Sequence, residues 1–267
     1  FFLYFALLYV HTPLFVPEVF ARQSRTGAYG AAVACIDWAA GVLMHELKQQ
    51  GMDDNTLIIF TSDNGAARPG SNAPFRGGKG STWEGGMRLP CIMRWPGRIP
   101  AGSLCAEIAT AMDFYPTLAA LGGAEIPTDR IIDGKDIRNL IFSGGRSKSP
   151  HHAFFYYMCN RLEAVRRGRW KLHVGKKVGQ DYRTITELYD LEADPGETNN
   201  LYDQQPEIVA ELADLLESCR RDLGDEATGV AGRNIRPVGR VEQPAMLTQF
   251  DPDHPYLIAE YDLANGH

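Results

Sequence analysis

The stretch TLIIFTSDNG, residues 56–65, runs four apolar residues (Leu57 to Phe60) into two hydroxyls and then into Asp63-Asn64-Gly65. A short continuous apolar run of this kind predicts a strand covered on both faces. Its ending admits two readings. Asp, Asn and Gly are turn formers, the first two because they bond their own backbone and Gly because it accepts positive φ. Asp and Asn also offer hard oxygens of the kind that Ca²⁺ or Mg²⁺ takes. The ten residues leave both readings open.

Working outward, Val33, Ile36, Ala40, Leu43 and Leu47 recur at three- and four-residue steps and predict a helix over 27–50, stopped at Gly51. The apolar run FFLYFALLYV (1–10) predicts a further buried strand over 1–8, followed by His11-Thr12-Pro13. It has no basic flank or cleavage site, and at ten residues it is too short for a membrane span. We expect a chain that opens in mid-strand, as a fragment would. Strand, helix and strand with continuous apolar strands predict a parallel sheet covered by helices, hence an α/β fold. Downstream, residues 65–88 are glycine-rich and aperiodic, and a loop this long is functional or disordered. LPCIMRWPG (89–97) predicts a short buried strand. Residues 107–121 predict a helix with Pro116 as a kink or boundary.

The pattern changes near residue 145. SGGRSKSP is a polar connector, and HAFFYYM, EAVRRGRWKLHV and TELYDL predict short antiparallel strands. DPGE reads as a turn. Residues 206–223 predict an amphipathic helix with Ile208, Leu212, Leu215, Leu216 and Cys219 on its apolar side. Residues 224–267 receive no assignment. Two domains are expected, 1–145 and 146–267.

Of the 267 residues, 44% are hydrophobic and 22% charged, with a formal charge of −6. This is ordinary globular composition. No basic stripe stands out, so no nucleic-acid partner is expected. The five cysteines lie far apart, with no CxxC and no zinc spacing, and read mostly as buried thiols.

Lys79 sits among Gly77, Gly78 and Gly80. Glycine lets backbone approach a ligand closely, and a lysine there is a point charge suited to an oxyanion. A nucleotide P-loop does not fit. It needs a glycine where this chain has Ala73, and Ser or Thr where it has Gly80.

Asp63-Asn64 at a strand end, followed by FRGGKGSTWEGGMRLPCIMRWPG, resembles the sulfatase family of the alkaline-phosphatase superfamily. FFLYFALLYVHTPL, EIATAMDFYPTLAALGG with DRIIDGKDI, EAVRRGRWKLH and ELYDLEADPGETNNL extend the likeness over about residues 1–220. The type is that of arylsulfatases and N-acetylgalactosamine-6-sulfatases. The resemblance implies part of an alkaline-phosphatase-like α/β/α sandwich, followed by a smaller α+β domain with an antiparallel sheet. It implies Asp63 and Asn64 as ligands of Ca²⁺, Lys79 on a sulfate oxygen, and His11 as proton donor to the leaving oxygen. It also places His151 and His152 on a segment that can reach the substrate, though paired surface histidines are the plainer reading. Trp83 reads as packing under the loop. Arg161, Arg166 and Arg167 read as a solvated face or as recognition of an acidic sugar.

The family's nucleophile is a formylglycine made from the first residue of Cys/Ser-x-Pro-Ser-Arg by a formylglycine-generating or maturase enzyme. No cysteine or serine of this chain stands in that motif, and the family's paired aspartates are also missing. The resemblance therefore implies a whole protein that hydrolyses sulfate monoesters of a small molecule or glycan, whereas these residues alone are expected to be inactive. The rivals are a phosphoryl-transfer relative on the same scaffold and a non-catalytic binder of sulfated glycans. A periplasmic, secreted or lysosomal location is what the family implies.

Overall fold

The computed structural model describes residues 1–179 and 181–243. The unassigned segment 224–267 thus lies partly outside the described residues. Residues Phe1–Arg233 make one compact unit.

Two helices open the chain, α1 (Glu18–Gln23) and α2 (Gly27–Gln49). The predicted strand over 1–8 does not form. These residues are all exposed and join no strand ladder among the described residues, and a strand without a ladder leaves its backbone groups to water. Helix α2 matches its predicted span, but its buried side is made of Ala31, Ala32 and Cys35, with Val33 and Leu43 exposed. By length and composition alone, α2 is apolar enough to cross a membrane.

Strand β1 (Ile58–Thr61) ends two residues before Asp63. After the glycine-rich loop and a short helix α3 (Glu84–Met87), β2 (Cys91–Arg94) returns antiparallel to β1. The pairing runs from Ile58↔Arg94 to Thr61↔Cys91. The predicted parallel neighbour is absent among the described residues. The Asp53 carboxylate takes both terminal nitrogens of Arg94, at 2.7 and 2.9 Å, and the Trp95 indole donates to Asp54 O at 3.1 Å. These bonds fix where β1 starts.

The helix expected over 107–121 starts later. Residues Ala111–Asp113 form a 3₁₀ turn, in which the Asp113 carboxylate accepts the Thr110 N–H at 2.7 Å. Helix α4 (Phe114–Leu121) then takes Pro116 in its first turn, where no N–H is needed. Helix α5 (Arg138–Phe142) follows.

The second sheet has the order β3-β4-β5-β6, all antiparallel, from Phe154–Met158, Arg161–Arg167, Trp170–Val178 and Asp181–Asp190. EAVRRGRWKLHV is a hairpin turning at Gly168, whose φ is 56°. Helix α6 (Pro206–Leu223) matches its predicted span. Leu212, Leu216 and Cys219 of α6 are buried against Leu162, Val165, Leu172 and Leu188, with Phe155 and Tyr157 beside them. Full burial of each such aliphatic chain is worth about 1.5–3 kcal/mol. Three of the five cysteines (Cys91, Cys105 and Cys159) are exposed, against the expectation of buried thiols.

Strand alternation sets the other face of this sheet. Tyr156, Arg166, Lys171, His173, Glu187 and Tyr189 lie opposite the apolar set, by the register Phe154↔Arg166, Tyr156↔Ala164↔His173↔Glu187 and Arg166↔Lys171↔Tyr189. An irregularity at Tyr156/Tyr157 leaves Glu163 as an extra residue of β4.

Candidate active site

Asp63 is exposed and Asn64 half-buried just beyond β1. The next residues are tied down by backbone. Gly65 N donates to Gly86 O at 3.0 Å, and Asn72 brackets Ala66, accepting its N–H at 2.7 Å and donating to its carbonyl at 2.8 Å. Lys79 N donates to that same carbonyl at 3.3 Å. The structure therefore brings the Lys79 backbone to the segment that follows the Asp63-Asn64 pair. The approach is so close that a Cβ on Gly65 would lie 1.8 Å from Gly85 O. The Lys79 side chain is exposed.

Donor chemistry at the strand end fits calcium in kind but not in number. Ca²⁺ takes about six to eight oxygens. Among the described residues, no group of three or more His, Cys, Asp or Glu could hold a metal.

The His11 ring is exposed, with Nδ1 2.6 Å from Thr12 O. A carbonyl only accepts, so Nδ1 carries hydrogen and Nε2 faces solvent. Among the described residues, no hydrogen bond joins His11 to Asp63, Asn64 or Lys79. His151 Nε2 lies 2.7 Å from Asp113 Oδ1, with its side chain 8% exposed. Its ring is spent on the turn that starts α4. His152 is exposed. Arg161 stacks on Tyr182 and pairs with Glu226 at 3.1 Å, Arg166 reaches Glu84 at 3.4 Å, and Arg167 pairs with Glu211. None of these arginines is a free cation. A hollow of about 380 Å³ between Arg98, Leu121 and Phe142 contains no predicted site residue.

Sequence reasoning missed what lies under the Lys79 loop. Gly85 N closes the loop on Arg76 O at 2.7 Å, and Thr82 and Glu84 point inward and are buried. They meet the charged face of the second sheet. Lys171 Nζ, fully buried, donates to Thr82 O at 2.8 Å and to Glu84 Oε1 at 2.9 Å, and is ion-paired with Glu197 Oε1 at 2.9 Å. Its three N–H donors thus face three oxygens. Tyr156 OH donates to Glu84 Oε1 at 3.0 Å, Glu84 N to Glu197 Oε2 at 2.7 Å, and Thr82 Oγ1 to Glu163 Oε2 at 2.5 Å. Trp83 lies between the His173 ring, at 4.2 Å, and the Arg76 guanidinium, at 3.8 Å, so it packs as expected.

Burial pushes His173 below its ordinary value, with Lys171 helping and the Glu197 bond opposing. The neutral ring donates from Nε2 to Glu197 Oε1 at 3.0 Å and leaves Nδ1 unpartnered. For Glu197, burial raises the carboxyl, but the His173 bond, the Lys171 charge and the Glu84 N–H outweigh it and hold it low. Burial raises Glu163 despite the Thr82 bond. Glu197 also has φ 53°, a left-handed conformation that costs a side-chain-bearing residue roughly 1–2 kcal/mol. A residue kept there only for its turn would be Gly or Asn.

The fold is that of an alkaline-phosphatase-like α/β protein. Residues 1–124 match the sulfatase family model, and residues 78–222 match the model of the N-sulphoglucosamine sulphohydrolase C-terminal region. The chain belongs to the sulfatase family. It is 36% identical to mouse steryl-sulfatase over 256 residues, covering 83% of this chain and 41% of that protein. It is 41% identical to dog N-acetylgalactosamine-6-sulfatase over 179 residues, covering 65% of this chain and 34% of that protein. The crystal structure of PsFucS1 sulfatase from Pseudoalteromonas sp. superposes with TM-score 0.72 at 28% identity, covering 79% of this chain and 46% of that one. The chain spans less than half the length of each of these relatives.

Proposed function

We propose that the whole protein hydrolyses sulfate monoesters, with Lys79 holding a sulfate oxygen and His11 delivering a proton to the leaving oxygen. The observation that carries this is the backbone bond joining the Lys79 loop to the segment after Asp63-Asn64. An exposed ammonium on a glycine-lined tip can meet a sulfuryl oxygen as a point charge. His11 keeps Nδ1 on Thr12 O, so when protonated it presents Nε2–H outward as a general acid. Asp63 and Asn64 would be two ligands of a Ca²⁺ ion, which when bound polarises the sulfate. Formylglycine is the nucleophile we expect. No Cys/Ser-x-Pro-Ser-Arg occurs in the 267 residues, so these residues alone are proposed to bind sulfate without turnover. The rival is a relative that binds sulfated glycans without cleaving them. Relatives named for a steryl ester and for an amino-sugar ester leave the organic half of the substrate open.

The test is hydrolysis of an aryl sulfate and of the matching aryl phosphate by the whole protein. Lys79→Ala should lower kcat/KM for the sulfate by about 10²–10³, the effect of removing one charge-stabilising donor. A preference for the phosphate would overturn the reading in favour of phosphoryl transfer. Sulfate binding without any turnover would favour the binder.

A further inference from the structure

We propose that the buried cluster Glu84–Lys171–Glu197 is the positioning device of Lys79, through which the second sheet sets where the lysine's loop stands. The inference rests on the reading of Lys79 as the sulfate-holding residue. The loop from Arg76 to Gly86 has little apolar packing of its own besides Trp83, which stacks on His173 and Arg76. Gly77, Gly78, Gly80, Gly85 and Gly86 give it no apolar side chains, and Gly77 and Gly80 have φ of 77° and 82°. On the strand side, among the described residues, it is held through backbone and Asn72, by Lys79 N–Ala66 O, Gly65 N–Gly86 O and the Asn72 amide, which also reaches Gly77 O at 3.2 Å. On the other side Lys171 is the central contact. Its ammonium takes the carbonyl of Thr82 and the carboxylate of Glu84, three and five residues beyond Lys79.

Glu197 completes the clamp, with one carboxylate oxygen on Lys171 and the other on the backbone N–H of Glu84. Arg76, where the loop begins, is caught by the same turn, donating to Glu197 O at 3.0 Å and to Tyr189 OH at 3.3 Å. Both ends of the loop are thus fastened to the Glu197 turn, and the tip between them carries Lys79. A cation buried with two carboxylates is a poor way to gain stability compared with an apolar core. It is a directional way to fix backbone, because each bond has an angle as well as a length. A charge displaced by about 1 Å can lose on the order of 10²-fold in rate, so such fixing has a use at this tip.

The experiment uses the whole protein and inorganic sulfate as the probe. Amide hydrogen exchange and sulfate affinity are measured for Glu84→Ala, Glu84→Gln, Lys79→Ala and Leu172→Ala. Leu172 lies on β5 beside Lys171 but faces α6. Glu84→Ala should speed exchange across residues 77–86 by about tenfold with α6 unchanged, and weaken sulfate by about tenfold. Glu84→Gln keeps one oxygen for Lys171 and Tyr156, loses the weaker Arg166 contact, and should recover most of both losses. Leu172→Ala should loosen α6 and leave sulfate affinity alone. If Glu84→Ala proves insoluble, Tyr156→Phe, which deletes one bond to Glu84, should show the same pattern more weakly. Two results would overturn the proposal. One is faster exchange in the loop with sulfate affinity intact, and the other is loosening spread equally over loop and α6. If Lys79→Ala itself leaves sulfate binding unchanged, the role of Lys79 fails first. If Lys79→Ala weakens binding and Glu84→Ala does not, only the positioning role fails.

Discussion

The two faces of the four-stranded sheet are built from the same strands by opposite chemistry. One face sets Leu162, Val165, Leu172 and Leu188 against the leucines of α6. The other sets Tyr156, Lys171 and His173 against Thr82, Trp83 and Glu84 of the glycine-rich loop. Leu172 is 1% exposed and Lys171 0%, so burial does not distinguish them. What differs is how each contact tolerates movement. An apolar contact is non-directional and can shift by a fraction of an ångström at small cost. The charged face cannot, since a buried ion that loses its partner is strongly unfavourable. The first face holds the molecule together, and the second holds one loop in one place.

The largest break in this comparison should come from Lys171→Met. It leaves the Glu84 and Glu197 carboxylates buried near each other without their shared cation and should cost about 3–5 kcal/mol, read as a lower urea midpoint. Leu172→Ala should cost a similar amount, about 2–5 kcal/mol, through a cavity. The two separate on rescue. Adding Glu84→Gln to Lys171→Met removes one of the stranded charges and should recover a measurable part of the loss. Adding Glu84→Gln to Leu172→Ala should recover nothing, because the two sites share no partner.

A smaller break is expected from Gly85→Ala. Its Cβ would stand 2.5 Å from Arg76 O and 2.6 Å from Gly77 O, both backbone atoms that cannot swing away. The base of the loop must then open, at a cost of about 1–3 kcal/mol as for other overpacked sites. Thermal melts against Gly97→Ala provide the contrast. Gly97 has open space around its would-be Cβ but φ 72°, so its cost is one of backbone conformation rather than contact.

How much of this was legible in the sequence follows from the same contrast. The stripe from Ile208 to Cys219 announces α6 because 3.6-residue periodicity and burial coincide there. The strand end at Asp63-Asn64 and the glycines around Lys79 were visible for the same local reason. The charged face was not. Alternation of Lys171, His173 and Glu187 with leucines reads as a sheet with one wet side, which is the usual meaning of such a pattern. Nothing local shows that a loop some ninety positions earlier covers it. One signal was present. A glutamate closing the DPGE turn, where the backbone adopts φ 53°, is costly unless its carboxylate is needed. The apolar residues 1–8 failed in the opposite sense, since composition predicts a strand but only a partner strand makes one.

The smallest expected effect sharpens the comparison by pH, since the buried histidine and carboxylates lie on one face, while Tyr157 and Cys219 on the other are pushed up, away from neutral pH. His173 faces Glu197, Lys171 and Glu187, and burial holds it below its ordinary value. A base with a lowered folded value contributes stability that is complete above the unfolded value, about 6.5, and is lost as pH falls from there toward the folded value. Glu197, also held low, loses its contribution only further down, as pH drops through its lowered value. Glu163 is raised, so its contribution runs the other way, present in acid and lost as pH rises through its folded value. A fall in pH from 7.5 to 5.5 therefore tests the His173 contribution. The melting temperature should fall across that interval. His173→Gln should flatten that dependence, and Leu172→Ala should lower the whole curve without changing its slope. A slope that survives His173→Gln would place the titrating group elsewhere and remove the distinction between the faces on this count.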